Sequence, residues 1–350
     1  MKKFAVFGLS FLLIFSVFSA CSKKPAIPKA GSATADDMLT LLPKNSGGVV
    51  VIDVHRAMTT DFAQKMIKEN KEYQKYQEII NEIGVDPQKD VFFVAIGISG
   101  EMKQNASSGV GVVNLKYNKE KLLAAIKKQD ADLEEKTYEG ISVFSSPSEG
   151  EGEKRVFGAF LDESNILIGP EKEVEAVIDI VKKKTESVVH NKDMMALVKT
   201  VNRKAMLWSV FLLPPDQMKT MAESNPFLSN LQFVKSLSLY FDYQNKGLEA
   251  EIKAVGTDEK KNKDVADFLN GLKGLGGLAG SQKPEVSEFL NKIEITSSAD
   301  FVKIYANIPQ DLLEKLSQEA QKQVESKLAG EKEKQDEKRE ETEKPEEIKK

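Results

Sequence analysis

The order in which strand-like and helix-like stretches recur is the strongest constraint on how this chain folds. Residues 48–54, GVVVIDV, form a β-branched run of strand length. A helix is predicted over 61–83. Asp61 with Gln64 approximates a capping box, and Phe62, Met66, Tyr73, Tyr76, Ile80 and Ile83 recur at mostly three- and four-residue spacing. Gly84 and Pro87 supply its stop. Strands over 91–99 and 109–117, a helix over 119–128, a hairpin of 140–145 with 155–161, a strand over 165–169 and a helix over 170–184 follow. After a bridging segment, 190–204, the order starts again. Strand 206–213, helix 214–231, strands 233–243 and 248–255, helix 264–275, hairpin 292–298 with 301–308 and a helix from Pro309 complete it.

Matching elements lie roughly 140–155 positions apart, close to one domain length of about 100–150 residues. The fold class expected is therefore α+β, with two tandem diverged βαββαββ(α) units, 38–190 and 191–330, and mainly antiparallel sheets. The core order βαββαβ is that of the split βαβ, or ferredoxin-like, motif. Two local echoes agree: Ile141–Ser146 with Ile293–Ser298, and Gly169-Pro170 with Ile308-Pro309.

The amino terminus fixes an address. Lys2 and Lys3 precede an uncharged apolar run from Phe4 to Phe18, and Ser19-Ala20 sets small residues before Cys21. That layout is a secretory signal peptide over 1–20. The run is shorter than the roughly 20 residues that span a bilayer. Phe18-Ser19-Ala20-Cys21 resembles the lipobox of bacterial lipoproteins, although that family prefers Leu where Phe18 stands. The resemblance implies a diacylglyceryl thioether on Cys21, which becomes the first residue. An uncleaved anchor and plain secretion are the alternatives. Cys21 is the one cysteine in 350 residues, and a secreted protein rarely keeps a lone thiol without purpose. Residues 21–37, rich in Pro, Ala, Gly, Ser and Lys, read as a flexible tether. Residues 331–350 are almost all charged and read as a solvated, disordered tail. Terminal Lys350 also resembles the lysine by which some small envelope lipoproteins join peptidoglycan.

Charge excludes some partners. The net charge of −4 becomes −6 when the two lysines of 1–20 are removed. This argues against nucleic acid and gives no net pull towards anionic headgroups. Only Arg56, Arg155, Arg203 and Arg339 are arginines, which weakens any dedicated anion site.

The sequence offers few catalytic arrangements. His55 and His190 stand alone, with no zinc-ligand spacing around them. Asp53 and His55 share a strand face by alternation but lack a nucleophile. Gly274 to Ala279 match a loose G-x-G-x-x-A pattern, yet follow a helix rather than a strand. That segment, 271–280, is read as a flexible apolar loop, with contact to a membrane or partner as the sharper alternative. Glu134, Glu135, Glu149, Glu151 and Glu153 are read as solvated loop carboxylates. Trp208, Phe211, Phe227, Met218 and Met221 form the most apolar cluster, expected in the core or, alternatively, lining a hydrophobic groove.

The expectation is a non-catalytic lipoprotein without cofactor or metal. It is membrane-bound through Cys21 and acts as a binding or scaffolding module for an unidentified envelope partner. A carrier of lipid or another hydrophobic ligand is the alternative. The family's behaviour implies the outer membrane where the host has one, because Ser22 is not the aspartate associated with inner-membrane retention; otherwise it implies the outer face of the plasma membrane. The turn Gly84-Val85-Asp86-Pro87 also resembles one in uncharacterised exported bacterial proteins, and that likeness brings no activity.

Overall fold

The computed structural model describes residues 27–69, 77–99, 108–130, 132–146, 155–224, 231–279 and 283–320. Cys21, the segment 1–20, the tail 331–350, Tyr73, Tyr76, Phe227, Glu149, Glu151 and Glu153 lie outside them.

The first half contains α1 (Ala35–Leu39), β1 (Ser46–Asp53), α2 (Val54–Met58), α3 (Asp61–Glu69), α4 (Gln77–Ile83), β2 (Val91–Ser99) and β3 (Gly109–Leu115). It continues with α5 (Lys119–Gln129), β4 (Glu134–Tyr138), β5 (Ile141–Ser145), β6 (Phe157–Phe160), β7 (Asn165–Gly169) and α6 (Glu171–Val181). A 3-10 turn, Val188–His190, and α7 (Lys192–Val198) lead into the second half. There follow β8 (Leu207–Leu212), α8 (Pro215–Ser224), β9 (Val234–Gln244), β10 (Gly247–Gly256), α9 (Glu259–Ala279), α10 (Pro284–Asn291), β11 (Ile293–Ser297) and β12 (Phe301–Pro309). Residues 310–320 are helical.

The strands form one 12-stranded antiparallel sheet of order β11-β12-β10-β9-β8-β1-β2-β3-β7-β6-β5-β4. Each half starts at the centre with three sequential strands, and its third strand then pairs with its last, β3 with β7 and β10 with β12. The halves join where β1 pairs with β8, with Val51 opposite Trp208. Among the described residues the interleaved strand order of a split βαβ motif is absent. Asp53 at the exit of β1 lies opposite Phe93 near the start of β2. The helices between them therefore return the chain to the same end of the sheet, which makes β2 an antiparallel neighbour.

The largest core cluster lies on one face, while Val302 and Ile308 of β12 are buried on the other. Val51, Ala95, Val112, Leu167, Ala159 and Val143 follow one another across the register and are all buried. Met38 and Leu39 of α1, Val174, Val177 and Ile178 of α6, and Met194 and Val198 of α7 belong to the same cluster. Trp208 is 1% exposed within it. These helices sit where side chains cap them. Thr34 and Asp37 form a capping box on α1, and Asn191 accepts from Met194 N at 3.1 Å to start α7.

Several boundaries differ from expectation. Residues 27–37, read as tether, dock on the sheet. The Asn165 amide donates to the Pro28 carbonyl at 2.8 Å and the Asn114 amide to the same oxygen at 3.2 Å, both side chains being fully buried. Helix α3 starts from Thr60, whose hydroxyl accepts from Ala63 N at 3.1 Å, one residue earlier than Asp61. Glu134 and Glu135 lie in edge strand β4, where Glu134 pairs with Arg155. Most notably, Gly271 to Ala279 are helical, because α9 starts at the Asp258 cap and runs 21 residues. A Cβ at Gly276 would stand 3.2 Å from Leu290 of α10, so the missing side chain is what lets the two helices approach.

The centre carries a tight contact. A Cβ at Gly48 of β1 would meet the Phe211 ring of β8 at 2.5 Å. Gly48→Val is expected to cost about 2 kcal/mol by overpacking. Adding Phe211→Ala should recover part of that loss, as read from urea unfolding midpoints; additive costs would show that the ring and the glycine are not coupled.

Candidate functional site

Strand alternation sends the even residues of β1 and the odd residues of β9 to the face opposite the core. That second face is apolar along nearly its whole width. Ile295, Ile304, Ile252, Leu239, Ser209, Val50, Ile96, Gly111 and Ile168 succeed one another across the register. Parallel rows add Phe241, Leu207, Ile52 and Val94 on one side, and Leu237, Phe211 and Ile98 on the other. Apart from buried Ser209, these side chains are half-buried or exposed; Ile168 is 48% and Ile252 36% exposed. β9 shows the arrangement most sharply. Its core-side residues Ser236, Ser238, Tyr240 and Asp242 are buried, while Leu237, Leu239 and Phe241 remain half-exposed. Wide apolar surface left open to water on a monomer marks an interaction or ligand surface.

A second apolar feature belongs to α9. Phe268, Leu272, Leu275 and Leu278 fall at helical spacing, and Leu275 and Leu278 are 64% and 73% exposed. The same helix guards the sheet edge: Asn270 donates to Ile295 O at 3.4 Å and Lys273 to Ile293 O. Both bonds occupy carbonyls of edge strand β11 that would otherwise template pairing with another strand.

The polar candidates are dispersed. Asp53 does not face His55 across a strand. Its carboxylate accepts from Arg56 N at 2.9 Å and caps α2, so alternation ends there. His55 lies in α2, with Nδ1 3.1 Å from Gln88 O and its ring 5.6 Å from Phe92. His190 lines a shallow groove of ≈ 880 Å³ with Pro43, Lys44, Ile180, Glu186 and Asn191. There Lys44 pairs with Glu186 at 2.6 Å and holds that carboxyl below its ordinary range, with His190 adding a smaller effect. Among the described residues no group of three His, Cys, Asp or Glu is placed to hold a metal ion. None of their helices is long and apolar enough to cross a membrane.

The aromatic cluster divides. Trp208 and Phe211 are three apart on β8, so period two puts Trp208 in the core and Phe211 on the second face. Met218 is buried, and Phe227 and the Met221 side chain fall outside the described residues. The sequence reading missed Arg56 with Asp242. They pair at 2.7 Å between α2 and β9, with the Asp242 side chain only 5% exposed, and Asp242 also accepts from Met206 N at 3.2 Å. No spacing signal links residues so far apart.

This pair joins the halves beside the β1–β8 seam. Arg56→Met is expected to destabilise by about 3 kcal/mol, because it leaves a buried carboxylate uncompensated. The double variant Arg56→Met/Asp242→Asn should recover much of that loss in thermal melts; a double variant as weak as the single one would contradict this assignment.

Residues 112–270, less than half of the chain, match a family model described as a protein of unknown function (DUF3352). No curated protein matches the chain. The solved structure titled "Structure of crystal form I of TP0453" is 9% identical, covers 79% of this chain and 94% of its own, and has a TM-score of 0.44. Crystal form III of the same protein is 9% identical over 79% of this chain and 95% of its own, with a TM-score of 0.45.

Proposed function

We propose that this chain is a lipid-anchored protein of the cell envelope, acylated on Cys21, that acts as a non-catalytic binding or scaffolding module. Its station is the outer membrane where the host has two membranes, and otherwise the outer face of the plasma membrane. The partner is another envelope protein, and the working surface is the second face of the sheet. The observation that carries this reading is the width of half-exposed apolar surface on that face, with Ile252 of β10 and Ile168 of β7, towards its two ends, the most exposed. The matching nesting of strands on either side of the β1–β8 seam supports two diverged copies of one unit, fused edge to edge.

The anchor is tested by detergent phase separation. Parent protein should enter the detergent phase and Cys21→Ala the aqueous phase, since two or three acyl chains add about 0.8 kcal/mol per buried CH₂. Identical partitioning would remove the lipid anchor from the account.

A second reading, carriage of a lipid or other apolar ligand, is favoured by the same face, because its rows are aliphatic and aromatic and, Ser209 apart, free of polar side chains. Native mass spectrometry of the chain from Cys21 onwards, purified from cells as Cys21→Ala, separates the two. A carrier retains a small apolar mass that Ile168→Glu removes, with melting unchanged within about 0.5 kcal/mol for such a surface site. A scaffold gives the bare polypeptide mass.

A further inference from the structure

The docked amino-terminal segment sets how far the folded body can stand from its anchor. The Pro28 carbonyl accepts from both Asn114 and Asn165, and Asn165 also donates to the Asp162 carboxylate at 2.9 Å. Asn114 and Asn165 are fully buried, so this clamp belongs to the interior. Just beyond it, Gly31 lies against Phe92 and the Lys116 side chain. From Cys21 to Pro28 there are seven residue steps, which span at most roughly 25 Å however those residues are arranged. Had the chain been free to residue 37, the reach would be about 55 Å.

We infer that the Pro28 clamp holds one end of the sheet, the end where β3 leaves and β7 enters, against the lipid headgroup layer in which Cys21 is anchored. This rests on the proposed acylation of Cys21. The surface at that end includes Lys29, Lys116 and Lys119, all exposed, with half-buried Tyr117 and Phe92 beside them and the buried Phe160 ring beneath. Lys116 lies 5.4 Å from the Phe92 ring centroid and Lys119 5.5 Å from that of Phe160, and Tyr117 stacks on Phe160 at 5.6 Å. Amines carried over aromatic rings suit a layer with an apolar floor and a polar top. Exposed Glu120 and Glu163 lie in the same region, so attraction to anionic lipid does not set the orientation. The short leash does.

The test couples the single thiol of the chain from Cys21 onwards to a maleimide phospholipid in phosphatidylcholine vesicles, followed by brief acetylation and mass spectrometry. Chemical coupling makes the result independent of whether cells acylate Cys21, which phase separation decides separately. Acetylation of Lys29, Lys116 and Lys119 should fall about threefold or more on vesicles relative to Lys172 and Lys235. A Gly/Ser insert of about 20 residues after Ser22, whose root-mean-square span is roughly 25 Å and which does not touch the body, should restore it. Equal acetylation of all five lysines on vesicles would overturn the inference. So would protection appearing instead at Lys260 and Lys261 of α9.

Discussion

The pairing of β1 with β8 is the interaction on which the rest depends. Without it the chain would be two half-sheets, each ending in a bare central edge. Edges of that kind invite association with other chains. With it, Val51 and Trp208 meet in the middle of a single core, and the helices before each central strand, α1 and α7, pack onto that core together. Gly48 lets the Phe211 ring lie against the seam from the other side, and Arg56 reaches across it to Asp242. Hydrophobic burial, close packing and a half-buried ion pair thus act at one junction. Its loss would separate the halves rather than loosen one loop.

That junction also decides what each face of the sheet can do. The helices that form the core gather on one side, over Val51, Val112 and Leu167. The opposite side keeps most of its central apolar row half-exposed from β11 to β7, although Ser209, Val302 and Ile308 there are buried. In β9 the usual sense is inverted, because polar residues point into the interior and leucines towards the open side. Asp242 tolerates this through Arg56, and Tyr240 donates its hydroxyl to Glu249 at 2.8 Å. A sheet that spends polar residues inside while leaving apolar ones outside is organised for contact on its outer face, which is where the proposed binding function rests.

Much of this was legible in the sequence wherever a local signal existed. The β-branched run of β1, the strand run of β2 and the helices expected over 119–128 and 170–184 announce themselves through pattern. The docking of residues 27–37 was hidden, because the Asn114 and Asn165 that hold Pro28 lie far along the chain. Alternation alone places Trp208 and Phe211 on opposite faces, so their separation was available to a stricter reading of strand period. The helical state of Gly271–Ala279 runs against glycine propensity. It holds because Asn270 and Lys273 bind the β11 edge and Gly276 admits Leu290, all of them tertiary contacts. The site was the least legible part. A strand buried on one face and half-open on the other gives the same continuous apolar run as one buried on both.

The central claim, that the half-open face is the working surface, is tested most directly by replacing Ile168 with a photoreactive amino acid and irradiating intact cells. The account predicts a discrete adduct, to a protein or to a lipid, from position 168 and none from a control at Lys172 on the outside of α6. Irradiated protein that stays free of adducts at position 168, while position 172 behaves alike, would contradict it.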